Sequence, residues 1–366
     1  MSSGDGTKMS HSRQWNILVV TSDLGGRGGI QRHSRTLIEV LRGHLGLAVE
    51  TCDLRLDGTW IRRVAGLSRG LFHLFHSRPD LVLCTHVGLA PIGLFATRIL
   101  NTPYVVIVYG VEIWGIESCK KHRLLSNAAG TWAVSTFTAA KVGELYPSAS
   151  RPVMIGTGIR NSFFEPLTDA GTCPPTLLTV TRLDDLKYKG IDVVLDALKL
   201  LRKTGTEVHY VIVGDGPARA ALATMVDDKD LSDCVEVLGA VSEAELLTQY
   251  RRAHVFVLVS RYAEGPNPMG EGLGLATLEA AAAGVPVVVG QQGGSVDTVE
   301  DGVTGLLVPP GDPSAIARAV QALLYVDTAA AAERPEIIST WTKRRFGLAA
   351  FAERLRVALH EVGVSV

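Results

Sequence analysis

Two glutamates, Glu271 and Glu279, are separated by seven residues in the stretch 264–294, EGPNPMGEGLGLATLEAAAAGVPVVVGQQGG. Between them Gly272 and Gly274 leave the backbone bare, so that a ligand can approach it closely. The spacing predicts a helix starting near Leu275, and the free N–H groups of a helix N-terminus attract anions. Gly284 reads as the residue that ends this helix, with Pro286 just beyond it. Val287, Val288 and Val289 then read as a buried strand. Carboxylates repel phosphate, so beside such a helix end the two glutamates are suited to accept hydrogen bonds from hydroxyl groups. A ligand carrying both sugar hydroxyls and phosphates, a sugar nucleotide, satisfies both features.

A site of this kind lies past the carboxyl ends of parallel strands, and the chain supplies such strands in order. An apolar strand at 16–21 runs into Ser22-Asp-Leu-Gly-Gly-Arg-Gly-Gly-Ile-Gln-Arg-His33 and then a helix with apolar residues at 37, 38, 40 and 41. Strand, Gly-rich loop and helix open a Rossmann-like unit. The spacing is not G-x-G-x-x-G, which disfavours NAD, while Gly25, Gly26, Gly28 and Gly29 leave N–H groups able to face a phosphate. Further strands are expected at 49–54, 80–84, 104–109, 132–134 and 153–155. By the strand-end rule His86, Tyr109 and Glu112 fall at the mouth of the sheet. Residues 162–175 read as a connection, after which the pattern restarts. Strands at 177–181, 208–213, 235–238, 254–260 and 305–308 alternate with helices at 191–203, 218–227, 242–252 and 313–325. Ser242 with Glu245 forms a capping-box pattern. The last stretch, 343–362, reads as one helix.

The 366 residues allow two domains of ordinary size. Hydrophobic residues at 46% and charged residues at 20% mark a globular chain, not a disordered one. A net charge of −1 gives no global field for nucleic acid. The five cysteines are isolated and never in a Cys-x-x-Cys pair, which points to a reducing compartment and against a zinc site. The polar start, MSSGDGTKMSHSRQ, has no apolar signal core, and no apolar run reaches the length of a spanning helix. Asp228-Lys-Asp230 looks like a metal-holding Asp-x-Asp triplet but sits in a polar stretch, DDKD, that reads as a surface loop. Trp60–Arg78 carries Arg62, Arg63, Arg69 and Arg78 among Leu, Phe and Ile. This suits an amphipathic helix on anionic lipid; a helix covering a sheet needs the same apolar stripe, and that is the favoured reading.

Taken together, the motifs resemble the GT-B-fold retaining glycosyltransferases of family 4, which include bacterial mannosyl- and glucosyltransferases. The resemblance runs from Asn16 to about Phe351. It is strongest over Glu271-Gly-Leu-Gly-Leu-Ala-Thr-Leu-Glu279-Ala, the family's paired-glutamate motif, and extends through Arg182, Lys189-Gly190, Gly214-Asp-Gly-Pro217, Gly293-Gly294 and Gly25-Gly26 with Gly28-Gly29-Ile30. It implies an α/β fold of two Rossmann-like domains facing a cleft, with no cofactor and no metal. Residues 1–14 are expected as a disordered tail, 15–165 as the acceptor domain, 172–342 as the nucleotide-sugar donor domain and 343–366 as a C-terminal helix crossing back.

The resemblance also implies roles. Arg182 and Lys189 neutralise the diphosphate, Glu271 contacts hydroxyls of the transferred sugar, and Glu279 holds the ribose. Gly25, Gly26, Gly29, Gly214, Gly272, Gly274, Leu275, Gly293 and Gly294 complete the donor side, with the N–H groups of Gly293 and Gly294 turned to phosphate or sugar. His86, Tyr109 and Glu112 are the acceptor-side candidates. Two positions depart from the family pattern: Tyr109 stands where a His is usual, and Gly156-Thr-Gly158 where Asn commonly precedes Gly. The expected activity is hexose transfer from a nucleotide diphosphate sugar to a hydroxyl of a glycan, a glycolipid or a small molecule. GDP-mannose is slightly favoured over UDP-sugars, and the setting is cytoplasmic with peripheral membrane contact left open. Two rivals stay in view: an epimerase of UDP-N-acetylglucosamine on the same fold, and a sugar-nucleotide-binding protein impaired by the change at 109.

Overall fold

Apolar runs of four to six residues, too short for helices and rich in Val, Ile and Leu, alternate with amphipathic segments, and parallel sheets bury such runs on both faces. The computed structural model describes residues 14–26, 28–54, 60–115, 118–165, 174–325 and 328–366; for 60–65, 67 and 328–330 it describes the backbone alone. The expected tail, apart from Gln14, and the middle of the expected connection lie outside the described residues.

The first half runs β1 (Asn16–Thr21), α1 (Gly29–Gly43), β2 (Ala48–Asp53), α2 (Trp60–Ser77), β3 (Leu81–Cys84), α3 (Ala90–Leu100) and β4 (Tyr104–Val108). It continues with α4 (Val111–Trp114), α5 (Cys119–Ser126), β5 (Gly130–Ala133), α6 (Thr136–Leu145) and β6 (Val153–Met154). The second half runs β7 (Thr176–Val180), α7 (Ile191–Lys203), β8 (His209–Val213), α8 (Arg219–Asp228), β9 (Val235–Gly239), α9 (Glu243–Arg252) and β10 (Val255–Leu258). It ends with α10 (Leu275–Ala282), β11 (Val287–Gly290), β12 (Gly305–Val308), α11 (Pro313–Leu324), α12 (Thr328–Phe346) and α13 (Leu348–Glu361).

These strands form two six-stranded sheets, ordered β2-β1-β3-β4-β5-β6 and β12-β11-β10-β7-β8-β9. Every strand pairing within them is parallel. In each sheet the chain reverses its direction of travel once, between β1 and β3 in the first and between β7 and β10 in the second. A crevice opens beyond the strand ends at such points.

Alternation along the strands separates the core into layers. Ile17, Val19, Leu81 and Leu83 face α1 and α13 in one cluster, which also holds Leu278 and Ala281 of α10. Leu18, Val20, Val82 and Cys84 face the other way, toward Leu74 of α2 and Ile92 of α3. On the second sheet the outer layer is α7, α8 and α11. Thus α1, α10 and α13 lie in the layer between the sheets, while α2 and α3 lie outside.

The stretch 343–362, expected as one helix, is two. Gly347, extended at φ −63° and ψ 162°, breaks it. A Cβ there would meet the carbonyl of Lys343 at 2.5 Å. Past this break α13 packs against α1. Arg354 anchors it, donating to the carbonyls of Ile155 (2.7 Å) and Thr157 (2.9 Å) on the first half of the chain. Burial pulls its guanidinium down to about 10. Arg345 reaches Glu300, and Arg356 pairs with Glu353. Of the C-terminal arginines, Arg354 thus serves the helix packing, while Arg345 and Arg356 pair with acids at the surface. Asp228 and Asp230 are exposed on the turn that closes α8, with Asp230 at φ 55°. Among the described residues, no helix is long and apolar enough to cross a membrane.

Candidate functional site

The crevices of the two sheets merge into one cleft of about 1030 Å³. Into it run the first residues of two helices from opposite sides. Gly28, Gly29 and Ile30 bring the start of α1, and Gly274, Leu275 and Ala276 bring the start of α10. The N-caps of both helices are glycines that make no side-chain capping bond. The leading N–H groups and the positive ends of the two helix dipoles thus converge on one space.

The second-sheet wall carries the charges. Lys189, on the loop after β7, meets Glu271 at 2.8 Å, with side chains 11% and 20% exposed. Burial alone would lower the Lys189 ammonium, but the Glu271 carboxylate and the Tyr188 hydroxyl outweigh it and hold it above the usual lysine range. The ammonium also lies 4.4 Å from the centre of the Tyr188 ring. Arg182 is on the same loop, largely in solvent and paired with Asp184 at 2.6 Å. Gly214, after β8, lines the cleft beside Asp215.

Glu279 behaves differently from Glu271. Its side chain is 3% exposed and is gripped by Arg32 of α1 at 2.8 Å. It also accepts the Tyr250 hydroxyl at 2.9 Å. Burial raises its carboxyl above the usual range, against the pull of Arg32 and Tyr250. Arg32, Leu275 and Glu279 border a second space of about 170 Å³, which Arg35 and Arg160 also line.

The first-sheet wall is neutral where it meets the cleft at Tyr109. The Nε2 of the buried His33 lies 3.0 Å from the carbonyl of Gly156, which can only accept. His33 therefore carries its proton on Nε2, and its Nδ1 accepts the Tyr109 hydroxyl at 2.9 Å. Desolvation holds the imidazole down at about 4, so it is neutral near pH 7. Glu112 turns its carboxylate back on its own loop, accepting the backbone N–H groups of Tyr109 and Gly110. His86 does not line the cleft; its Nδ1 accepts the N–H of Gly88 in the loop after β3.

Of the predicted donor-side residues, Gly26, Gly29, Arg182, Lys189, Gly214, Glu271, Gly272, Gly274 and Leu275 all line the cleft. Gly25, Glu279, Gly293 and Gly294 do not, Glu279 facing the smaller space instead. In this structure the N–H of Gly294 donates to the Glu271 carbonyl at 2.8 Å. What requires glycine here is contact between loops. A Cβ on Gly272 would lie 2.1 Å from the Tyr109 carbonyl of the other half, and one on Gly294 would lie 1.9 Å from the Gly272 carbonyl. Sequence reasoning missed Arg32, His33 and Tyr250. Arg32 and His33 stand at the start of α1, just past the Gly-rich loop, but no local pattern singles them out.

Residues 174–325 match the family described as glycosyl transferases group 1. The amylovoran biosynthesis glycosyltransferase AmsK of Erwinia amylovora is 36% identical over 226 residues, 60% of this chain and 54% of that protein. A GDP-mannose-dependent alpha-(1-6)-phosphatidylinositol monomannoside mannosyltransferase of Mycolicibacterium smegmatis is 30% identical over 257 residues, 67% of this chain and 66% of that protein. The chain thus spans less than two thirds of the length of these curated relatives. Among solved structures, a sucrose-phosphate synthase of Thermosynechococcus elongatus superposes with a TM-score of 0.78 at 22% identity, covering 96% of this chain and 99% of the other. Anabaena HepE, in complex with UDP and glucose, superposes with a TM-score of 0.74 at 18% identity, covering 95% and 100%. At such identity the likeness is one of fold.

Proposed function

We propose, for a chain whose residues 174–325 are a glycosyl transferases group 1 domain within a GT-B fold, that it is a retaining hexosyltransferase using a nucleotide diphosphate sugar. The observation that carries this reading is the convergence of the α1 and α10 N-termini with Lys189 and Glu271 on one cleft. A diphosphate bound there gains two helix ends and the Lys189 ammonium. Lys189 turns from Glu271 toward the phosphates as the donor binds, with Arg182 beside it, and Glu271 accepts hydroxyls of the sugar. Glu279 serves the ribose once Arg32 yields. Residues 15–165 present the acceptor and 172–342 the donor.

In the transfer, the bond from the anomeric carbon to the diphosphate oxygen breaks as an acceptor hydroxyl attacks the same face of the sugar. The hydroxyl proton passes to the departing phosphate oxygen, and the charge that develops there is met by the helix ends and cations. This path asks no proton transfer of Tyr109, whose hydroxyl is committed to His33. GDP-mannose is favoured as donor, in keeping with the mannosyltransferase named above. The acceptor is a hydroxyl of a glycan, a glycolipid or a small molecule.

Thermal shift with GDP, UDP and their sugars tests the donor, and the anomeric configuration of the product tests retention. The expected result is a larger rise in melting temperature with GDP than with UDP, and a product with the anomeric configuration of the donor. No shift with either nucleotide overturns the reading, and formation of an epimer from UDP-N-acetylglucosamine alone replaces it with the epimerase.

A further inference from the structure

The outer layer of the first sheet leaves large apolar side chains in solvent. On α2, Phe72 is 65% exposed and Phe75 51%; on α3, Ile99 is 58% exposed. Phe75 meets Phe95 of α3 with ring centres 6.4 Å apart, so the two helices present one continuous strip. His76 stacks on Phe72 at 5.5 Å. Around the strip stand Arg69, one turn before Phe72, Arg98, next to Ile99, and Arg78, all exposed. From Trp60 to Pro103 the sequence holds five arginines and one acid, Asp80. That acid is turned to the backbone N–H of Asn16 at 2.9 Å.

The equivalent layer on the second sheet shows that covering a sheet does not require such a surface. Among the described residues of α7, α8 and α11 no large apolar side chain is exposed. Two cations there pair with acids, Lys229 with Asp196 and Arg202 with Asp233.

We propose that the α2–α3 face docks on an anionic lipid membrane, lying in its surface. The aromatic and aliphatic side chains enter the boundary between headgroups and acyl chains, and the arginines sit over anionic headgroups. A second copy of this chain fits the face less well. A two-fold contact would set arginines against arginines, because the same patch meets itself. The inference stands on this surface alone and does not depend on the catalytic reading.

Co-sedimentation of the full chain with vesicles tests it, comparing phosphatidylcholine alone with phosphatidylcholine containing phosphatidylglycerol. Binding is expected to the anionic vesicles only, and to weaken with salt. Phe72→Ser with Phe75→Ser lowers partitioning by about tenfold or more. Arg69→Ser and Arg98→Ser each lower it roughly fivefold. The circular dichroism spectrum and the cooperative thermal unfolding of the variants stay as in the wild type, since the substituted side chains are exposed, and this controls for folding. Equal binding to neutral and anionic vesicles, binding that survives all four substitutions, or a solution dimer that the Phe substitutions dissolve overturns the proposal.

Discussion

The two walls of the cleft handle their polar groups in opposite ways. On the second-sheet wall Lys189 and Glu271 face each other as opposite charges, still partly in contact with solvent. On the first-sheet wall Tyr109, His33 and Gly156 form a closed neutral chain. Glu112 bonds its own turn. An ion pair open to water exchanges partners readily, because solvent and an incoming anion compete for it. A buried neutral chain of hydrogen bonds does not, because opening it leaves unsatisfied polar atoms in an apolar setting. The contrast teaches that one wall is built to respond to a charged ligand and the other to hold a shape.

The strongest way to break that contrast is to remove its most exchangeable group. Glu271→Ala is expected to lower transfer roughly 10³-fold, about 4 kcal/mol of barrier, with the circular dichroism spectrum unchanged. Wild-type turnover in that variant would remove Glu271 from the site. Arg32→Ala tests the charged pair that bridges the two walls. It leaves Glu279 buried without its cation and is expected to cost about 3 kcal/mol in urea denaturation. Glu279→Gln should cost less, since the neutral amide still accepts the Tyr250 hydroxyl. An Arg32→Ala protein as stable as the wild type would mean that the pair does not persist in solution.

Acid tests the neutral chain. The folded protein keeps His33 neutral down to about 4, while an unfolded histidine takes its proton near 6.5. Between these values the unfolded chain binds more protons. The stability from this group is therefore complete above the unfolded value and is lost as pH falls through the window, by about 2 kcal/mol at pH 5. His33→Gln should flatten that part of a stability curve measured by urea denaturation; an unchanged slope would show that His33 titrates normally. The smallest expected effect is that of Tyr109→Phe, about 1 kcal/mol of stability with turnover kept within roughly tenfold. A hundredfold loss of turnover would show the hydroxyl acting on substrate and erase the distinction between the walls.

Legibility of the molecule followed the range of the interactions. The Ser242–Glu245 capping box, read from two letters three residues apart, is present in both directions. The start of α10 at Leu275 and the positive φ of Gly284 were equally local. Glu271 and Lys189 stood out through their loops, although their pairing across 82 residues did not. His33 and Tyr109 are 76 residues apart and His33 and Gly156 are 123 apart, and neither contact leaves a periodic trace. The local contacts of His86 and Glu112, of which only Glu112 lines the cleft, were likewise not legible. A strand-end position puts a side chain near the cleft, but the nearest backbone N–H groups captured both.

By itself the sequence determined two runs of short apolar strands with helices between them, and a Gly-rich loop feeding a helix beside two glutamates. Periodicity, caps and glycine conformations act within a few residues, so they are written locally. Tertiary structure alone decided that Glu279 is gripped by Arg32 while Glu271 stays open to the cleft. It alone brought Gly272 and the Tyr109 carbonyl together. Which charge is buried, and which partner it meets, depends on how two sheets dock, and that is set by the sum of many contacts far apart in the chain.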